Sequence, residues 1–218
     1  MTELVYNPPK EPFLDIVYKD DDLIVLNKPS GLLSVPGRGR AKRDSLAWRT
    51  QKDHRTATVV HRLDMETSGI MVMALNMEAH RHISRQFEER QTEKTYIAVV
   101  GGDLETDEGE IDLPLIVDWP NRPKHIVDHE TGKKAVTRYR VLDRLGDRTR
   151  VSLHPITGRS HQLRVHMQSL GHPILGDTLY ATPEQVAMAP RLQLHATELV
   201  LTHPVTGARL TFEVAPDF

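Results

Sequence analysis

The stretch His61-Arg62-Leu63-Asp64-Met65-Glu66-Thr67-Ser68-Gly69 crowds an imidazole, a guanidinium, two carboxylates and two hydroxyls in front of an apolar run, Ile70 to Leu75. A turn at the end of a buried strand presents such side chains to a pocket. There Asp64 could act as a nucleophile or a general base; equally, Asp64 and Thr67 could be local caps and Arg62 an ion-pair partner. Spacing alone leaves both open. A second stretch, Ile156 to Met167, places Arg159 and Arg164 at the start of an amphipathic helix, where the helix terminus already attracts anions. The third, Asn27 to Gly37, runs from a strand into a Gly/Pro loop and by itself says only loop.

The elements that must position these residues follow from periodicity and turn chemistry. The first 14 residues, with three prolines, form an extended arm. Asp15–Lys19 and Leu23–Asn27 are predicted strands of a hairpin around Asp20-Asp21-Asp22. Asp44 or Ser45 caps a short helix through Gln51. Gly69–Leu75 is a buried strand, and Glu78 to Arg90 a helix with Ala79, Ile83 and Phe87 on one face. Further strands are expected at Thr95–Val100, Ala135–Val141, Thr149–Leu153, Gln193–Leu201 and Arg209–Val214, with loop from Leu113 to Lys124. The helix Ser160 to Leu170 should bury Leu163, Met167 and Leu170 and present His161, Arg164 and Gln168, with Gly171 and Pro173 as its stop. Strands that outnumber helices without alternating with them predict an α+β fold: a mixed, mainly antiparallel central sheet with flanking helices and loops. One domain over 15–218 is the simplest organisation.

Composition narrows the chemistry. With no cysteine the chain has no disulfide, thiolate zinc site, iron–sulfur cluster or cysteine nucleophile. No secretory signal or bilayer-spanning run is visible, which points to the cytoplasm and to no membrane. Twenty-eight basic against 30 acidic residues require any nucleic-acid footprint to be local. Arg38 to Arg43 and Lys133 to Arg140 are basic runs, Asp103 to Asp112 is acidic, and their segregation would permit a basic face. His161 and His166, five residues apart, sit poorly for joint metal ligation, and Gly31 to Gly39 lacks the Gly-Lys-Ser/Thr ending of a phosphate cradle. No heptad or leftover apolar segment demands a partner subunit, so a monomer is expected.

Taken together, the three stretches resemble the RluA-type pseudouridine synthases, whose His-Arg-Leu-Asp-x-x-Thr-Ser-Gly signature is matched from His61 to Gly69 without departure. The Asn27–Gly37 loop, Lys94-Thr95-Tyr96, the Thr157–Met167 helix and Leu192-Gln193-Leu194-His195-Ala196 fall in the family's order. The lack of room before Asp15 for a small N-terminal RNA-binding domain, with Asp118 to Lys124, resembles the family's dual-specificity member most. The resemblance implies an isomerase that uses no cofactor or metal and acts on structured RNA: a large-subunit ribosomal RNA hairpin and tRNA anticodon stem-loops. It further implies Asp64 as the catalytic carboxylate, Arg164 as its partner, Tyr96 as stacking group and C5 base, and Leu194 as packing of the uracil pocket. Arg62 would fill the stack left by a flipped uridine, and His61, Thr67, Arg38, Arg40, Arg159, Lys133 and Lys134 would contact RNA. A non-catalytic RNA-binding module and a metal-dependent hydrolase are the rival readings.

Overall fold

The structure, a computed structural model, describes residues 6–218; Met1–Val5 of the expected arm lie outside the described residues. In chain order the elements are β1 (Ile16–Lys19), β2 (Leu23–Lys28), α1 (Leu46–Asp53), β3 (Thr58–Val59), β4 (Ser68–Ala74), α2 (Met77–Glu88), β5 (Glu93–Gly101), β6 (Glu108–Asp112), β7 (Leu115–Val117), β8 (His125–Val127), β9 (Val136–Arg144), β10 (Arg148–Pro155), α3 (Gln162–Ser169), α4 (Pro183–Ala187), β11 (Leu194–Thr202) and β12 (Arg209–Glu213). This is the α+β class that the strand pattern implied. The described residues gather into two compact units: those through Glu93 with Ala196–Pro216, and Lys94–His195 with Asp217–Phe218. The division falls inside β5, inside β11 and again between Pro216 and Asp217.

In the first unit β1, β2 and β4 pair antiparallel, β3 pairs with the end of β4, and β12 pairs with β11. Every residue of β4 is buried, as its unbroken apolar run requires. Leu23, Val25, Ile70, Val72, Leu199, Leu201 and Phe212 form the core with Ala79 and Ile83 of α2. Asn76 caps α2 by accepting from the Ala79 N–H, and buried Gln86 exchanges two 2.7 Å hydrogen bonds with the Thr202 backbone, as a strand would. The acidic turn is a satisfied structure: Asp20 accepts from the Asp22 and Leu23 N–H groups, the Tyr18 hydroxyl and His203. Burial raises the Asp20 pKa, but those four donors outweigh it and leave the carboxyl below its ordinary value. The arm is tied down from Tyr6 onward. Arg49, 1% exposed, grips Asp44 through two nitrogens and donates to the Pro9 and Phe13 carbonyls.

In the second unit β5, β10, β9 and β6 pair antiparallel in that order. Three expectations are corrected there. The expected acidic surface Asp103 to Asp112 is not segregated from Lys133–Arg140: β6 pairs with β9, and Glu110–Arg138 and Glu108–Arg140 are cross-strand ion pairs. Alternating charge satisfies a solvent-facing strand as well as alternating hydrophobicity does. The Leu113–Lys124 loop contains β7, which pairs with β8 as a hairpin. Leu170, expected in the core, is 39% exposed, and Arg164, expected on the presented face with Gln168, is buried along with Gln162 and His166, whereas Gln168 is exposed as expected.

Gly69 opens β4 at φ +110°, and a Cβ there would lie 2.3 Å from the Ala196 carbonyl oxygen and 2.6 Å from its nitrogen. Neither backbone can yield without opening the sheet. Gly69→Ala is therefore expected to destabilise the protein by about 3 kcal/mol or more, read as a lowered denaturant midpoint.

Candidate active site

Asp64 lies half-buried in the loop between β3 and β4, within the first unit. That loop has little structure of its own; it is held by the Asn27–Gly37 segment, whose backbone and short side chains serve as its template. Lys28, fully buried at the end of β2, points its ammonium at three carbonyls: Leu32 at 2.7 Å, Pro29 at 2.9 Å and Met65 at 2.9 Å. Three N–H donors meet three acceptors, which is the geometry that makes a buried ammonium tolerable. Ser34 donates to the Leu63 carbonyl (2.6 Å) and accepts from the Leu63 N–H (3.1 Å), Ser30 donates to the Glu66 carbonyl (2.7 Å), and the Gly31 N–H donates to the Met65 carbonyl (2.9 Å). The Thr67 N–H closes a turn onto the Asp64 carbonyl. Backbone on both sides of Asp64 is thus fixed, residue by residue.

Of the other expected residues in this unit, Arg62 is exposed beside Asp64, and Arg38 and Arg40 are exposed around the short helical turn Arg40–Lys42. His61 and Thr67 are turned inward. His61 Nε2 accepts from the Val72 N–H at 3.0 Å and its ring stacks on Phe87 with centroids 4.4 Å apart, so it satisfies β4 just beyond where β3 stops. Thr67 is 3% exposed.

The second unit holds Tyr96, Arg164 and Leu194. Tyr96, half-buried on β5 opposite Leu153 of β10, packs against a cluster that includes Leu194 and the α3 residues Leu163 and Met167. Arg164 is not on a presented face. It is 3% exposed and clamps Asp177 bidentately, Nε to Oδ2 and Nη2 to Oδ1 at 2.7 Å each, with Tyr180 under its guanidinium at 5.1 Å. Asp177 Oδ1 also accepts from the Leu179 and Tyr180 N–H groups. Such a planar, desolvated pair leaves the guanidinium one orientation.

The polar residues of α3 survive burial because each has an internal partner. The Gln162 amide donates to the Val136 carbonyl and to Thr137 Oγ1, and its carbonyl accepts from Thr157 Oγ1 and the Arg159 N–H. Thr137 Oγ1 lies 2.9 Å from His166 Nδ1, and His166 Nε2 lies 3.0 Å from the Leu113 carbonyl. Because the carbonyl can only accept, Nε2 carries the proton and Nδ1 accepts from Thr137, which is the neutral imidazole. Arg159, Lys133 and Lys134 are exposed; Arg159 Nε donates to the Lys134 carbonyl, and Lys134 lies 3.8 Å from Asp112.

Sequence reasoning missed Lys28, Ser30, Ser34 and Asp177. A lysine and two serines closing an apolar strand and opening a Gly/Pro loop were visible as types, but nothing in their spacing says that they face the Asp64 segment.

The model of a protein family described as RNA pseudouridylate synthase matches residues 22–169. The Dual-specificity RNA pseudouridine synthase RluA of Salmonella typhi is 58% identical over 214 residues, 98% of each chain. Its counterpart in Haemophilus influenzae is 54% identical over 219 residues, the whole of both. Among solved structures, Human RNA Pseudouridylate Synthase Domain Containing 1 superposes with a TM-score of 0.77 at 29% identity, covering 100% of this chain and 87% of its own. Human RNA Pseudouridylate Synthase Domain Containing 4 gives 0.75, also at 29%, over 93% and 89%.

Lys28→Met would take the ammonium donor from the buried Leu32 carbonyl and from the Pro29 carbonyl, while the Met65 carbonyl keeps the Gly31 N–H. It is expected to cost about 2–4 kcal/mol and to speed amide hydrogen exchange at Gly31 and Leu63 well before global unfolding. Burial pushes the His166 pKa down, against the smaller opposing effects of the Leu113 bond and the Asp112 charge. The unfolded state then binds the extra proton first, so the His166 contribution to stability is complete above pH 6.5 and declines as pH falls below it toward the lowered folded value. The slope is at most about 1.4 kcal/mol per pH unit, and denaturant titrations of wild type and His166→Gln across that window should diverge accordingly.

Proposed function

The chain belongs to the RNA pseudouridylate synthase family, and from that premise we propose that it isomerises specific uridines in both a large-subunit ribosomal RNA hairpin and tRNA anticodon stem-loops. The observation that carries the dual range is identity of 54–59% to relatives named as dual-specificity enzymes, over 93% or more of this chain. The reaction breaks the N1–C1′ bond, rotates the uracil, forms C5–C1′ and transfers the C5 proton to solvent as N1 gains one. Atoms and electrons balance within the nucleoside, so the scheme calls for no redox partner, metal or cofactor.

Asp64 is the proposed catalytic carboxylate, acting on the sugar or base as a nucleophile or on a ribose proton as a base. The template under it supports this role, because a reacting group held on fixed backbone loses little entropy at the transition state. Tyr96 is the proposed ring that stacks on the uracil and takes the C5 proton, with Leu194 packing the uracil pocket. Its phenol stands beside the Leu194 cluster, an apolar setting that suits a planar base. Arg164 supplies the proposed positive charge that favours the ionised carboxylate, with its orientation set by Asp177.

A uridine stacked inside an RNA helix cannot bring its ribose and base to a carboxylate recessed in the protein, so flipping is part of the proposal, at a cost of a few kcal/mol. Arg62, exposed two residues from Asp64, is the side chain proposed to enter the vacated stack, since a guanidinium both stacks on bases and pairs with phosphate. Exposed Arg38, Arg40, Arg159, Lys133 and Lys134 are proposed phosphate contacts; His61 and Thr67, facing inward, support the loop that carries Arg62 and Asp64. The protein is proposed to work in the cytoplasm as a monomer, with residues 15–218 as one catalytic unit of function.

Tritium release from C5-labelled uridine in the two RNAs tests the reading. Wild type should release it from both. Asp64→Asn should slow release by at least about 10²-fold if the carboxylate is a base, and by about 10⁴-fold or more if it is the nucleophile. Release from one RNA alone would sink the dual range, and binding without release from either would make the chain a binding module.

A further inference from the structure

We propose that Trp119, at the tip of the β7–β8 hairpin, is a stacking platform for an unpaired nucleobase of the RNA substrate. The inference rests on the function proposed above and adds a specificity-determining residue outside the signature stretches. Trp119 is 63% exposed, against 39% for Phe13, and the Arg122 guanidinium covers its ring at 4.3 Å from the centroid. An indole left this exposed is a liability to a protein that has no use for it, because water gains nothing from the large apolar face.

The tip is built to hold its shape. Asp118 N–H donates to the Lys124 carbonyl, and the Asn121 and Lys124 N–H groups donate to the Asp118 and Asn121 carbonyls. Asn121 Nδ2 donates to Asp118 Oδ2. Below the tip, Leu115 and Val127 pack with Val165 of α3, Ala135 and Tyr180, and the Tyr180 hydroxyl accepts from the His125 N–H and meets His161 Nδ1 at 2.6 Å. The platform is thus carried on the same helix that carries Arg164, within one unit. A flat group on a stiff support binds another flat group with little loss of entropy.

The charges around it select the partner. Arg122 and Lys124 belong to the same tip as the indole, while the Asp118 carboxylate is engaged by Asn121. An indole with a cation on one face and a second cation in its own turn matches a base attached to a phosphate backbone: stacking supplies affinity for any base, and the cations hold its phosphates. In a folded hairpin only unpaired loop bases offer a free face, so the platform favours a loop shape over a stem.

The chain has two tryptophans, Trp48 and Trp119, which makes the test direct. In Trp48→Phe protein, titration with an anticodon stem-loop should quench Trp119 emission in step with binding measured independently by anisotropy of labelled RNA. Trp119→Ala should weaken binding roughly tenfold, raising KM with little change in kcat, and Trp119→Phe should recover most of the loss. Saturated binding with unchanged Trp119 emission, or an unchanged Kd in Trp119→Ala, overturns the proposal while leaving the enzyme reading intact. Wild type that neither binds RNA nor releases tritium overturns both.

Discussion

A lysine ammonium with no exposure to solvent organises the loop that carries the proposed chemistry. Lys28 ends β2 inside the protein, where an unsolvated charge would be prohibitive unless every donor proton found an oxygen. Carbonyls from two segments remote in sequence meet that demand, two from its own loop and one from Met65. The requirement runs both ways: the charge needs the carbonyls, and the buried Leu32 carbonyl needs the charge. Once the ammonium is placed, Leu32 and Met65 are brought to a common point, and the Ser30, Gly31 and Ser34 bonds to residues 63–66 follow as a short, irregular ladder. Asp64 inherits its position from that ladder and not from any element of regular structure.

Arg164 in the second unit solves a like problem differently. Where Lys28 gathers backbone, Arg164 meets a buried carboxylate, and the bidentate geometry with Asp177 fixes the plane of the guanidinium as well as its location. Breaking one member of such a pair leaves an uncompensated charge in a dry site, so the two residues behave as one. The polar chain from Thr157 through Gln162 and Thr137 to His166 continues this pattern along α3, satisfying each group with its neighbour. A helix with so many buried polar side chains is rigid for the reason that it is polar: any shift breaks several bonds at once.

This explains what was legible from the residues alone. β2 and β4 follow from short unbroken apolar runs and α2 from its four-residue spacing, because their contacts are apolar. The amphipathic reading of α3 placed the helix well but misjudged its polar side, since a pattern of polar residues cannot say whether their partners are water or protein. β6 was hidden because its alternation is of charge, and its partners on β9 lie about thirty residues away in sequence. β7 and β8 are three residues each, too short for any period to register. The His61–Gly69 stretch was recognisable as a whole, while Lys28, Ser30 and Ser34, which set its shape, were unremarkable loop residues until the fold brought them to it.

Burial sorts these side chains by the precision each task demands. Groups proposed to act on the uracil sit on held backbone, as Asp64 does, or in a buried pair, as Arg164 does with Asp177, where a displacement of a fraction of an ångström is costly. Arg62, Arg38, Arg40 and Lys133 are exposed, and long exposed side chains sample several rotamers at little cost. An enzyme that reads two different RNAs gains from that division. On the proposed assignment of roles, adaptable side chains at the surface absorb the variation between substrates, while the reacting uridine, once flipped, meets the same held groups whichever RNA delivered it.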